Sequence, residues 1–233
     1  RDWLRYVPAA MVPDFVKLWQ RPVMIDLYTW STPNGRKISI MLEEIGLPYE
    51  VHAIDIGKDE QFDPEFLEIS PNNKIPAIVD HDNGMKLMES GAILIYLAEK
   101  VASPLWPTAM EQRFDVLQWL MIQMGSVGPF LGQTHHFVKF NPGKSPYAEE
   151  RYSKESARIY AVLDRQLGKH QFLAGELSIA DIATWPWISR FEWQEMDLAA
   201  YTNLARWYTE IADRPAILHG YDVPARGLSI PMP

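Results

Sequence analysis

The stretch Ala102-Ser103-Pro104-Leu105-Trp106-Pro107 divides the chain into two halves with different periodicities. Before it, strand-like and helical runs alternate. MIDLY (24–28) reads as a short buried strand. Ile38, Met41, Leu42 and Ile45 recur at helical spacing, and Gly46-Leu47-Pro48 stops that helix. YEVHAID (49–55) alternates as a second strand, and PEFLEI (64–69) allows one or two helical turns. Ile75 to Val79 reads as a strand entered through Pro76. Asp82-Asn83-Gly84 forms a hairpin turn, and Met85 to Met88 a returning strand. ESGAILIYLAEK (89–100) is helical, with Ile93, Leu94 and Leu97 on one face. This order predicts a layered α/β domain over 23–101. Beyond a linker at 102–107 only helical patterns follow, at 108–126, 147–168, 178–191 and 202–215. They predict an all-helical domain over 108–221. Ser178 with Asp181 three residues on forms a capping box, and Pro186 is expected to kink or end the helix it lies in. Residues 1–22 form an N-terminal extension and 222–233 a Pro-rich tail over the surface.

Composition narrows the chemistry. The 233 residues include no cysteine. Disulfide staples, thiolate metal sites and a cysteine nucleophile are therefore excluded. A formal net charge of -8 argues against nucleic acid and anionic membranes, which need a basic footprint. The first residues lack the apolar core of a secretion signal, and no stretch approaches the ~18 apolar residues of a membrane span. A soluble, cytoplasmic protein is expected. The adjacent His135 and His136 have no cysteine or nearby acid to complete a metal centre, so no metal site is expected there.

Several residues stand where chemistry would be placed. Thr32-Pro33-Asn34-Gly35 turns from the first strand into the first helix and offers a hydroxyl and an amide beside the helix start. Taken alone, it is an ordinary turn with Asn34 as cap. Ser90 opens another helix and suits a carboxylate or a plain N-cap. Lys58 and Lys74 are natural surface charges. GPFLGQTHHF (128–137) is rich in glycine, which suggests close approach of a ligand or a second backbone. Gln133, His135 and His136 are its polar members. Arg151 begins a helix, which opposes the helix dipole and hints at an anion nearby.

Four strings, in order and correctly spaced, carry a resemblance: TPNGRKISIMLEE (32–44), EFLEISPNNKIPAIVD (65–80), ESGAILIYLAEK (89–100) and SIADIATWPW (178–187). They resemble the glutathione transferase superfamily, and most of all its bacterial Nu class, from about Val23 to about Tyr221. The resemblance implies an α/β thioredoxin-like N-terminal domain followed by an all-α C-terminal domain. It implies glutathione as cofactor, as two molecules per subunit or as oxidised glutathione, and glutathione-dependent disulfide reduction as activity. Thr32 and Asn34 would stabilise the glutathione thiolate, with Ser31 as a rival. A cis Ile75–Pro76 bond would free the backbone of Ile75 for the cysteinyl unit. Glu89 and Ser90 would hold the γ-glutamyl end, Lys74 and Gln61 the glycyl end, and Gln133 and Arg151 would reach in from the second domain. Asp181 would be structural. With no protein thiol, glutathione would supply both attacking thiols. The partners implied are a small-molecule disulfide or electrophile and a second subunit in a homodimer. Three other readings stay open. One is conjugation of an electrophile against an apolar wall of Trp30, Phe130 and Phe137. The second is thioether cleavage, and the third a non-enzymatic glutathione-binding or regulatory protein.

Overall fold

The structure, a computed structural model, describes residues 24–233, so the N-terminal extension lies outside the described residues. Four strands form one sheet in the order β2-β1-β3-β4: β1 (Ile25–Thr29), β2 (Tyr49–Ala53), β3 (Ala77–Asp80) and β4 (Met85–Met88). β1 runs parallel to β2 and antiparallel to β3, and β3 is antiparallel to β4. Period-two burial along β1 turns Ile25, Leu27 and Thr29 inward and leaves Asp26 and Tyr28 on the other face. Helices α1 (Pro33–Ile45) and α3 (Ser90–Lys100) pack against each other, while the single turn α2 (Pro64–Leu67) sets Phe66 beside the Tyr28 ring. β3 begins at Ala77, two residues later than the sequence pattern suggests. Pro76 has no N–H for the ladder, and the Ile75–Pro76 bond is cis.

Helices alone follow the linker. α4 (Met110–Ile122) passes into a π turn (Gln123–Val127), then α5 (Gly128–Thr134), then a second π turn (His135–Phe140). The helical pattern of the sequence ends at 126, and the glycine-rich 128–137 lies outside the helical runs it marks. The chain instead stays helical throughout. Pro129 cannot donate to the carbonyl four residues back, and a wider turn ahead of it accommodates the loss. α6 (Pro146–Leu167), α7 (Ile179–Ile188), α8 (Thr202–Ala212) and α9 (Pro215–Gly220) complete the domain. Pro186 neither ends α7 nor stops its packing. All ten residues of that helix are buried, which offsets the missing hydrogen bond. Pro215 does not only terminate a helix; it opens α9, a turn the periodicity did not reveal. The capping box is present. Asp181 accepts from the Ser178 and Leu173 backbone N–H groups, each at 3.0 Å, and from Trp207 Nε1 at 2.9 Å. Burial nevertheless pushes its carboxyl up to about 6. Among the described residues no helix is long and apolar enough to cross a membrane.

The two halves meet on α1, which packs against α3, α7 and α9. Gly220 approaches so closely that a Cβ there would stand 2.7 Å from Ile40 Cα. Ser39 Oγ donates to the Gly220 carbonyl at 2.6 Å, and Arg36 Nε to the Tyr221 carbonyl at 2.8 Å. The Arg36 guanidinium lies 3.6 Å over the Tyr221 ring. Its neighbour Lys37 is also buried, 1% exposed, and its Nζ reaches Gln123 Oε1 at 2.6 Å and Ser90 Oγ at 3.1 Å.

Burial without a contacting carboxylate pushes the Lys37 amine down from 10.5 to about 7, with the Glu89 charge opposing. Between those values the unfolded chain binds one proton more than the folded chain, so folding stability gains about 1.4 kcal/mol per pH unit from this group as pH rises. Below pH 7 the full cost of burying the charge is present. Lys37→Met should remove that slope. Denaturant melts from pH 7 to 9.5 should show wild type gaining stability relative to the variant. Parallel curves would show that Lys37 keeps an ordinary pKa.

Candidate active site

Thr32, not Asn34, is the N-cap of α1. Its Oγ1 accepts from Gly35 N–H at 3.1 Å, and its own O–H remains available. Gly35 is fixed by space: a Cβ would stand 2.1 Å from the Trp30 carbonyl oxygen. Asn34, released from capping, turns its amide toward the second domain. Trp187 Nε1 of α7 donates to Asn34 Oδ1 at 3.0 Å. That bond fixes the amide so that both Nδ2–H groups are left for the cleft. Asn34 lines a hollow of about 730 Å³ between the domains, with Lys37, Lys74, Gln123, Gln133, His136 and Phe137 among its walls. The volume lies in the ~300–1,000 Å³ range of small-ligand sites. Thr32, two residues before Asn34, is not among the lining residues.

A smaller hollow of about 140 Å³ shares Asn34, Lys74 and Met124 with the first and is closed by Ile75, Glu89 and Ser90. Glu89 holds φ +70°, a costly conformation for a residue with a Cβ, at the entry to α3. Ser90 is the first residue of α3 rather than its cap. Lys37 Nζ donates to Ser90 Oγ, so the serine O–H is directed away from Lys37 as a donor. Lys37 also holds Gln123, in the π turn, at 2.6 Å. A deeply placed ammonium without a contacting carboxylate, two hydroxyls and an amide N–H₂ make a donor set suited to an anion bearing carboxylates and a thiolate.

Of the residues singled out from the sequence, Asn34, Lys74, Ile75, Glu89, Ser90 and Gln133 line the two hollows; Thr32 lines neither and caps the helix that carries Asn34. Gln61 does not: it sits in a short turn after β2 and reaches Asp59 Oδ1 at 3.5 Å. Arg151 does not either. It lines a separate hollow of about 580 Å³ with Phe130, Tyr152 and Arg158. The two histidines diverge. His135 is buried between Trp187 and Trp193, beside Gln194 Nε2 at 3.1 Å, and burial pushes its imidazole down to about 4. His136 faces the cleft. Ser31 is buried and accepts from Arg226 of the tail at 2.9 Å. Of the expected apolar wall only Phe137 lines the cleft, since Trp30 lies under Arg226 and Phe130 faces Arg151. A larger hollow of about 900 Å³ runs under the linker past Glu44 and Arg214 and contains none of these residues. Lys37, Gln123 and Trp187 were missed from the sequence. The only signal for Lys37 was a pair of consecutive cations beside the largely apolar run Ile38–Leu42 of α1.

Comparison with known proteins identifies the family. Residues 23–99 match the family profile of the glutathione S-transferase N-terminal domain, and 146–210 that of the C-terminal domain. The disulfide-bond oxidoreductase YfcG of Escherichia coli K12 is 52% identical over 199 residues, covering 83% of this chain and 92% of that protein. YghU, a disulfide-bond oxidoreductase of the same strain, is 40% identical, covering 84% and 73%. The crystal structure of a Pseudomonas putida glutathione transferase with one glutathione disulfide bound per subunit superposes with a TM-score of 0.81 at 42% identity. It covers 90% of this chain and 96% of that one. A Burkholderia graminis transferase with two glutathione molecules per subunit gives 0.82 at 39%, covering 95% and 99%. The chain belongs to the glutathione transferase superfamily and, within it, to the Nu class of disulfide-bond oxidoreductases.

Proposed function

We propose that the protein reduces small disulfides with glutathione, the cleft accommodating two glutathione molecules or one molecule of glutathione disulfide. The observation that carries the reading is the Trp187–Asn34 hydrogen bond. It aims an amide N–H₂ into the cleft at the N-terminus of α1, in a chain without a thiol of its own. Glutathione supplies the thiols, two of which convert a disulfide to two thiols and leave glutathione disulfide. Thr32 O–H and Asn34 Nδ2–H stabilise a thiolate without acting as bases, aided by the positive end of α1. Ser90 O–H, directed by Lys37, receives the γ-glutamyl carboxylate, and Glu89 its ammonium. The Ile75 backbone meets the cysteinyl unit, while Lys74 and Gln133 lie where the glycyl carboxylate and a second tripeptide would be held. A compartment that keeps glutathione reduced, the cytoplasm, fits this reaction. Conjugation is the second reading, supported by Phe137, Pro129 and Trp187 on the cleft wall.

The protein is proposed to act as a homodimer. α4 leaves Met110 71%, Phe114 59% and Met121 50% exposed, a run of large apolar side chains of the kind enriched at interfaces. Phe62, in the α/β domain, is 53% exposed and offers a second contact.

Three measurements test these statements. In parallel assays, reduction of hydroxyethyl disulfide should exceed conjugation of 1-chloro-2,4-dinitrobenzene by at least ~10-fold in kcat/KM, about 1.4 kcal/mol of transition-state binding. The opposite ranking favours the transferase reading. Thr32→Ala should remove roughly 1.5–3 kcal/mol of stabilisation from the bound thiolate. Trp187→Phe should act in the same direction through Asn34, and Thr32→Ser and Ser31→Ala should be mild. Loss of activity in Ser31→Ala alone would reassign the activating hydroxyl. Sedimentation equilibrium should give about twice the chain mass of 26.8 kDa. Phe114→Glu should shift it toward the monomer, and a monomeric wild type would remove the dimer.

A further inference from the structure

On the face of the sheet turned away from α1 and α3, three segments bring metal-ligating side chains to one point. Asp26 stands on the middle strand β1. Its parallel neighbour β2 places Glu50 directly beside it and His52 two residues on, next to Tyr28. On the other side β3 ends at Asp80, and the following residue, His81, is held by its backbone N–H to the Met24 carbonyl at 2.9 Å. Both imidazoles turn their Nε2 atoms to the same carboxylate oxygen: Asp26 Oδ1 lies 3.2 Å from His52 and 3.0 Å from His81. The donor atoms of Asp26, Glu50 and His52 all lie within 4.8 Å of one another.

We infer that Asp26, Glu50, His52 and His81 form a surface site for a divalent transition metal of the zinc type. The spacing is the first argument. Imidazole nitrogen and carboxylate oxygen bind Zn²⁺ at about 2.0–2.2 Å, so neighbouring donors in a tetrahedral shell lie about 3.3–3.5 Å apart. The two histidine–Asp26 separations are already close to that edge length, and only a small outward movement opens room for the ion. The second argument is that the donors are oriented beforehand. The His52 ring is stacked on Tyr28 at 4.6 Å and 15°, which limits its rotation. Its Nε2 is shielded from solvent and makes no well-aligned hydrogen bond among the described residues. The third is donor chemistry. Two imidazoles with two carboxylates suit Zn²⁺, Co²⁺, Ni²⁺ or Cu²⁺ and not Mg²⁺ or Ca²⁺, which prefer oxygen alone. Two carboxylates also neutralise the charge of the dication. The half-exposed His81 leaves an approach from solvent, and the ion would join β1, β2 and the exit of β3. This site is separate from the cleft and does not depend on the glutathione reading.

The test uses the full chain without a histidine tag, stripped with chelator. Titration with Zn²⁺ alone in a calorimeter should give one equivalent bound, and Co²⁺ alone should give the visible ligand-field bands of a low-symmetry site. Zn²⁺ should also raise the melting temperature. His52→Ala and His81→Ala should each weaken binding by at least ~10-fold, with disulfide reduction kept as evidence that the variants fold. His170→Ala, in the helical domain, should leave binding unchanged. If Zn²⁺ does not bind, or binds equally well to the His52 and His81 variants, the site does not exist. Should a single histidine variant fail to fold, Asp26→Asn serves in its place and is expected to weaken binding to the same extent.

Discussion

The burial of α1 between the two domains is the constraint on which the rest depends. A helix carrying Arg36 and Lys37 in its first turns would normally turn both to water. Here Gly220 seats its backbone against Ile40, and neither cation can escape. Each is accommodated differently. Arg36 lies flat on Tyr221 and donates to its carbonyl, an arrangement a planar guanidinium permits and an ammonium does not. Lys37 has no ring or carboxylate in contact among the described residues and turns to neutral acceptors, Gln123 and Ser90. The closeness of the domains and the polarity of the cleft thus have one cause.

The cleft follows from that junction. Thr32, Asn34 and Ser90 all belong to the first domain, yet Asn34 and Ser90 take their orientation through groups that meet the second. Trp187 fixes which end of the Asn34 amide faces the ligand, and Gln123 anchors the lysine that orients Ser90. Both helical-domain residues occur where the helices are irregular or crowded. Gln123 opens a π turn, and Trp187 follows Pro186 in α7 and packs over Gly128 and Gly132. A Cβ at Gly132 would meet the indole at 3.4 Å, an ordinary contact, and one at Gly128 would press first on Gln123 Nε2 at 3.2 Å.

This explains what could be read from the sequence and what could not. Strand alternation, the Gly84 hairpin and the Ser178–Asp181 box are local signals, and local signals place elements well. The change of periodicity at 102–107 was enough to separate α/β from all-helical structure. Asn34 and Ser90, which line the hollows, were legible because each lies at the mouth of a helix. Their roles within those turns were not legible: Thr32 does the capping assigned to Asn34, and Ser90 is one residue inside α3. The helical character of 128–137 was hidden because glycine and proline lower local propensity, while packing on Trp187 restores the helix. Arg151 rests on a dipole argument and on the resemblance; the helix begins at Pro146, five residues earlier, and the fold turns Arg151 toward a different hollow. Lys37 was invisible because a lysine's burial is decided by contacts more than fifty residues away in sequence.

The cost of burying Lys37 bears directly on how an anion would be held. In the free cleft the ammonium has hydrogen-bond acceptors but no contacting counter-charge, and desolvation lowers its affinity for a proton to about 7. A ligand that brings carboxylates and a thiolate into the adjoining hollow supplies the missing negative charge. Protonated Lys37 and bound anion then stabilise each other, and by linkage each raises the other's affinity. The same proton lets Lys37 keep donating to Ser90, whose own O–H lies 3.8 Å from Met124 Sδ, a weak acceptor that a ligand carboxylate would displace. A neutral residue of similar length at this position would fill the space and relieve the burial cost. It would also release Ser90 to hydrogen-bond in any direction and remove the charge that an anionic ligand meets. On the proposed reading the instability carried by α1 becomes part of the recognition: the fold holds a cation with no contacting carboxylate among the described residues at the back of the cleft, and the ligand would complete the pair.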